Sequence, residues 1–125
     1  MMNAHTALID RYFDAWNETD AGRRRELISA TWANDAAYLD PLLSGNGHDG
    51  IDAMIHAVHE RFAHHTFRRT TEVDGFADRL RFSWELLTPS GVSIVKGSDF
   101  GIVEPGGRLQ SITGFLDEAP GAADA

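Results

Sequence analysis

Two aspartates in this sequence sit where a carboxylate can move a proton, and their surroundings differ. Asp40 closes residues 32–41, WANDAAYLDP, which read as a helix running out, a turn and a short strand stopped by proline. Proline brings no N–H and biases the residue before it towards an extended backbone, so Asp40 is expected at the tip of that strand, on a rim. A glycine-containing loop follows at residues 44–47. Asp99 falls in a second extended stretch, where Val95, Gly97, Asp99, Gly101 and Val103 share one face and Lys96, Ser98, Phe100 and Ile102 lie on the other. Burial among apolar neighbours such as Val95, Phe100 and Ile102 disfavours charge, so Asp99 is expected to be pushed towards its neutral form, whereas a rim position lets Asp40 stay ionised. Moving a proton beside a carbonyl needs both kinds of group: an anion to take the proton and a neutral donor to hold the oxygen that becomes charged. Gly97 and Gly101 leave room beside Asp99 for something other than side chains, or else mark a bulge or bend.

Structural alternatives stand beside each of these readings. A carboxylate before proline also finishes a strand by accepting a neighbouring N–H. Asp99 would be accounted for by an ion pair with Lys96 or Arg81, or by a helix N-terminus. His56, His59 and Glu60, at i, i+3 and i+4, have a spacing that metal ligands use, but they project away from the apolar stripe of their helix and read as a solvated face; no metal is expected. His64 and His65 end that helix, where a cationic side chain suits the dipole. His48 reads as a loop residue after Asp40, near enough to reach a pocket mouth. Arg81 and Glu85 read as a cross-strand network or a dimer surface.

The elements that position these groups follow from periodicity. Leu8, Ile9, Tyr12, Phe13, Ala15 and Trp16 recur at helical spacing over residues 6–17, with Thr6 as a cap. Tyr12 reads there as an amphipathic core tyrosine with a wet hydroxyl. Asp20 caps a second helix whose Leu27, Ile28, Thr31 and Trp32 face the core, with Arg23, Arg24 and Glu26 largely outside, and which stops near Asn34. A short strand over residues 36–39 precedes a third helix, capped by Asp49, with Ile51, Met54, Ile55, Val58 and Phe62 on one stripe. After His65 the period becomes two: residues 67–73, a turn at Asp74 and Gly75, then Leu80, Phe82, Trp84 and Leu86 alternating with polar residues. Residues 92–103 and 109–116 make two further strands, separated by turns at 89–91 and 105–107. Helices followed by hairpin-linked strands predict an α+β fold, with an antiparallel sheet curled around one helical layer into a cone open at one end.

With 125 residues the chain is long enough for one core, and residues 1–117 read as a single domain followed by a tail, 118–125, with little to bury. The net charge of −8 argues against a nucleic-acid partner, since the only basic cluster is Arg23 to Arg25. The absence of cysteine excludes disulfides and thiolate chemistry. With no bilayer-length apolar run and no signal-peptide pattern at the start, a cytoplasmic protein with no membrane partner is expected.

The motif RYFDAWN with Tyr12, the WANDAAYLDP stretch ending in Asp40, and GSDFGIVEPGGRLQSITGF carrying Asp99 resemble the nuclear transport factor 2-like superfamily, closest to its SnoaL-like polyketide cyclase and ketosteroid isomerase group. The resemblance implies a cone-shaped, cystatin-like α+β fold of order α-α-β-α-β-β-β-β, commonly a homodimer through the sheet, and acid–base chemistry on a small apolar cyclic or carbonyl compound without a cofactor. It puts Asp40 on the general base of ketosteroid isomerase, Tyr12 on its oxyanion-hole phenol and Asp99 on the carboxylic acid that stays protonated. The supporting tyrosines of some such isomerases are replaced, Trp32 standing at one of their places and Val58 near another, while Phe115 and Leu116 stand where other aromatics occur. Trp16, Trp32, Phe62, Trp84 and Phe115 are therefore expected as the binding wall. A non-catalytic ligand-binding or dimeric interaction module on the same scaffold is the alternative. Epoxide hydrolysis is a third reading; it requires an arginine beside the acids, for which Arg81 is the strand candidate.

Overall fold

The apolar spacing of the first helix places Leu8, Ile9, Tyr12, Phe13, Ala15 and Trp16 on a single buried face. In the computed structural model, which describes residues 4–118, the order is α1 (Ala4–Asn17), α2 (Ala21–Thr31), β1 (Trp32–Leu39), β2 (Ser44–Asn46), α3 (Gly47–Arg61), β3 (Thr66–Arg69), β4 (Asp74–Phe76), β5 (Arg79–Leu87), β6 (Ser93–Val103) and β7 (Leu109–Glu118). Glu118, expected to open the tail, is the last residue of β7; the rest of the expected tail lies outside the described residues. Among the described residues no helix is long and apolar enough to cross a membrane.

Asp20 caps α2 as its sequence position predicts, its carboxylate accepting from the Arg23 N–H at 2.9 Å. Arg24 does not sit outside. It is buried, its Nε donating to Asp52 of α3 at 2.7 Å and its Nη1 to the Glu18 carbonyl at 3.2 Å. The long aliphatic stem fills the space between α2 and α3 while the charge is satisfied at its end. The third helix starts earlier than Asp49: Asn46 holds the capping position without a side-chain bond, and Gly47, at φ +69°, turns the chain from β2 into the helix. Asp49 lies in the first turn, where it suits the dipole and pairs with Arg25 at 2.5 Å.

The sheet runs β2-β1-β7-β6-β5-β3, with β4 also paired to β5. It is curved and unclosed, and it lies against the three helices, the α+β arrangement that the pattern predicts. Several details depart from the periodicity: residues 44–46, expected in a loop, form β2, the strand expected over 67–73 is β3 and ends at Arg69, and Thr6 lies within α1 instead of capping it. The first strand begins at Trp32, four residues early, because the chain leaves α2 directly in extended conformation. Asp74 and Gly75 are not a turn but part of β4, opposite Arg81 and Leu80; the turn comes next, where Ala77 takes φ +50°. Finally, the sheet is mixed: β1 pairs parallel with β7, Tyr38 opposite Ile112 and Leu39 opposite Thr113, while every other pairing is antiparallel. The core fills the concave side, with Ile9, Ile28, Trp32, Ile55, Leu80 and Ile112 almost fully removed from solvent.

Candidate active site

The open end of the curled sheet encloses a cavity of about 530 Å³, in the range of small-molecule sites. Most of its wall is apolar. Trp16 comes from α1, Val58 from α3 and Phe62 from just past its end, Trp84 and Leu86 from β5, and Leu116 from β7. Polar groups gather at one part of this wall, on α1, β1, β5 and β6.

Asp99 points inward from the middle of β6 and is only 3% exposed. The period-two pattern places it there, and two donors reach it: the Tyr12 hydroxyl from α1 donates to Oδ2 at 2.6 Å, and the Trp84 indole N–H from β5 donates to Oδ1 at 3.0 Å. Neither Lys96 nor Arg81 pairs with it; they bind Glu118 and Asp74 instead. Burial pushes the Asp99 carboxyl up to about 6, while the hydrogen bonds from Tyr12 and Trp84 pull in the opposite direction and the Asp40 charge adds a smaller upward push. About half of the molecules therefore carry a proton on Asp99 near pH 6. Burial and the Asp99 charge together hold the Tyr12 phenol well above its ordinary range.

Asp40 stands at the end of β1, half-buried, on the cavity wall. Its Oδ1 accepts from the backbone N–H groups of Leu42 and Leu43, at 2.8 and 2.7 Å, and its Oδ2 accepts from the Tyr38 hydroxyl at 2.6 Å. The bland role and the chemical one thus coexist, since the carboxylate pins the loop after Pro41 while lining the cavity. Tyr38 is the residue that sequence reasoning missed. Its buried phenol donates to Asp40 and feels the charge of Asp99, and desolvation, followed by the Asp99 charge, raises it far above the usual tyrosine range. The alternation of Ala36, Tyr38 and Asp40 along β1 is the signal that could have revealed it, because it puts the phenol on the same face as the carboxylate.

The two acids meet over Gly114 of β7. A Cβ on that residue would lie 3.0 Å from Asp99 Oδ1, 3.1 Å from Asp40 Cβ and 3.3 Å from the Tyr38 hydroxyl. Tyr12, Asp99 and Asp40 are thus brought to one cavity, together with Trp16, Phe62 and Trp84. Trp32 and Phe115 are not part of its wall. Trp32 is completely buried beneath the site, its ring centroid 5.7 Å from that of Tyr12 and 6.4 Å from that of Tyr38. Phe115 pairs with Ser98 on the convex face and is exposed; the alternation of β7 turns Leu116 inward in its place. Arg81 is also on the convex face, paired to Asp74, so among the described residues no strand arginine lines the cavity with the acids.

The glycines flanking Asp99 do not leave room for a ligand. The space over Gly97 is taken by the Trp84 indole and that over Gly101 by Leu80 and Ile112. The histidines disperse as well. His56 pairs with Glu60 at 2.6 Å, His59 turns to the Trp16 carbonyl at 2.6 Å, and His48, inside α3, reaches the Trp32 carbonyl at 2.8 Å, away from the cavity mouth.

The burial of Asp99 has a consequence for stability. Its carboxyl titrates at about 6 in the folded chain against 3.8 for an ordinary aspartate, so between those values the folded chain holds a proton that the unfolded chain has released. Stability therefore falls as pH rises across that window, by about 3 kcal/mol in total. Asp99→Asn should recover part of this at pH 7, since an amide can accept from Trp84 with its oxygen and donate to the Tyr12 oxygen with its nitrogen. Urea midpoints should show the variant gaining on the wild type as pH is raised from about 4 to 7. A constant difference across that range would mean that Asp99 titrates like a free aspartate.

No family model matches the sequence, and no curated protein matches it. Solved structures do. A protein from Agrobacterium tumefaciens str. C58, provisionally named an isomerase of the SnoaL-like family, aligns with a TM-score of 0.89 and 39% identity, covering 93% of this chain and 99% of that one. A provisionally named SnoaL-like polyketide cyclase from Jannaschia sp. CCS1 aligns at TM-score 0.72 and 16% identity over 91% of this chain and 85% of that one. A protein of unknown function with a cystatin-like fold from Methylobium petroleophilum PM1 aligns at TM-score 0.73 and 16% identity, covering 92% and 76% of the two chains. At their level of identity the last two speak for the fold alone.

Proposed function

The chain belongs to the SnoaL-like family, and from that premise we propose that it is a cofactor-independent acid–base enzyme acting on an apolar cyclic carbonyl compound, as an isomerase or a cyclase. The observation that carries this reading is that Asp40, Tyr38, Tyr12 and Asp99 line one cavity, forming the polar part of an otherwise apolar wall. Asp40 takes a proton from the carbon next to the carbonyl; the electron pair of that C–H bond forms a carbon–carbon double bond to the carbonyl carbon, and the π pair of the carbonyl moves onto its oxygen. Asp99, in its protonated form, donates to that oxygen, with Tyr12 and Trp84 fixing its orientation. An apolar guest displaces water from the cavity, and the added desolvation favours the neutral acid further. Where the substrate carries a β,γ double bond, the dienolate regains the proton from Asp40 at the γ carbon, which is isomerisation; where it carries a second carbonyl, the enolate carbon attacks that carbonyl carbon and the alkoxide formed takes the proton from Asp40, which closes a ring.

Deuterium uptake tests this reading. In D2O the protein should catalyse exchange at the carbon next to the carbonyl in at least one member of a panel of apolar cyclic ketones, read by mass spectrometry. A second reading, a binder without turnover, is favoured by the internal pairing of each phenol with a carboxylate, which leaves the polar groups satisfied around a passive guest. Ketones that raise the melting temperature but take up no deuterium above the buffer rate would overturn the enzyme in favour of the binder.

A further inference from the structure

The cavity wall contains a single cation among its described residues, Arg61, at the last turn of α3. Seven other arginines and the lysine each reach a carboxylate within ion-pair distance, whereas Arg61, like Arg11 and Arg23, reaches none among the described residues; of these three only Arg61 lies on the cavity wall. Its guanidinium is instead held over the ring of Phe62, 5.6 Å from the centroid, and that ring is part of the same wall. A planar donor fork stacked on the wall of an apolar cavity is preorganised to receive a carboxylate.

The rest of the molecule makes this placement selective. Two carboxylates line the same cavity and the chain carries a net charge of −8, so an anionic guest would be repelled from every other approach. A neutral apolar guest gains nothing from an arginine here that a leucine would not give it. We propose that the substrate is an apolar cyclic carbonyl compound that also bears a carboxylate, the carboxylate resting on Arg61 while the carbonyl lies at Asp99. This rests on the acid–base reading above and narrows it to a substrate class.

Two phenols that imitate the enolate separate the possibilities: 2-naphthol, and 6-hydroxy-2-naphthoate, which adds a carboxylate at the far end of the same ring system. By titration calorimetry the wild type should bind the naphthoate about tenfold more tightly than the naphthol, as one charge-assisted pair allows. Arg61→Gln should abolish that preference while leaving 2-naphthol unchanged, and Arg61→Glu should reverse it. The wild-type preference should also shrink as salt is raised, because Arg61 is exposed. Equal binding of the two phenols by the wild type, or a preference that survives Arg61→Gln, overturns the proposal and leaves the acid–base reading standing on its exchange assay. If neither phenol binds, the carboxylate proposal falls, and the acid–base reading is decided by its exchange assay alone.

Discussion

Replacing Asp40 with asparagine should lower the rate of deuterium exchange by about 10²–10⁴-fold, the usual contribution of a positioned general base. The substitution is informative because little else changes. The amide oxygen can keep both backbone hydrogen bonds, from Leu42 and Leu43, and the amide nitrogen can donate to the Tyr38 oxygen where the carboxylate now accepts. The loop after Pro41 therefore stays in place and the cavity keeps its shape, so melting temperature and affinity for 2-naphthol should remain near the wild-type values. The loss should appear in kcat with KM nearly constant, as expected for a group that acts on the transition state and not on binding. A variant that exchanges deuterium at the wild-type rate would remove Asp40 from the mechanism and assign it only to the loop.

Gly97→Ala should destabilise the fold by about 3 kcal/mol, a large effect for one methyl group. The added Cβ would lie 2.6 Å from Trp84 Cε2 and 2.7 Å from the carbonyl oxygen of Phe115, and neither neighbour can step aside easily. The first belongs to a buried indole packed edge-on against Phe67, with ring centroids 5.6 Å apart, and bonded to Asp99; the second is backbone of the adjacent strand. Either the indole leaves Asp99, stripping a donor from a buried acid, or β6 and β7 part at the register shift between Lys96 and Gly97. Scanning calorimetry should record a fall in melting temperature of about 10 °C. A change of less than about 2 °C would show that the indole has room to move and that its contact with Asp99 is not held by packing.

Alternation and helical spacing foretold the burial of Asp99 and the stripe carrying Tyr12 because both are properties of neighbouring residues within one element. Contacts between distant elements left no such mark. Nothing local announces that β1 runs parallel to β7, since hairpin patterning speaks only of successive strands. Tyr38 was missed for a related reason: the first strand reads as too short, and its phenol gains meaning only when Asp99 arrives from β6. Glycines beside a carboxylate suggest empty space, yet the filling side chain, Trp84, sits on another strand. Trp32 and Phe115 show the same limit, because whether an aromatic faces a cavity, a core or solvent depends on strand register, and register shifts interrupt both β1 and β7. Arg24 looked like a solvated residue because its partner, Asp52, lies on the next helix.

The parallel pairing of β1 with β7 also fixes when the site can come into being. Asp40 ends a strand made before β6, but Gly114, over which it lies beside Asp99, belongs to β7, which is synthesised after both. A chain synthesised only as far as β6 holds both carboxylates without the strand that joins β1 to β6. The arrangement of the two acids is thus completed in one step, when β7 slots between β1 and β6.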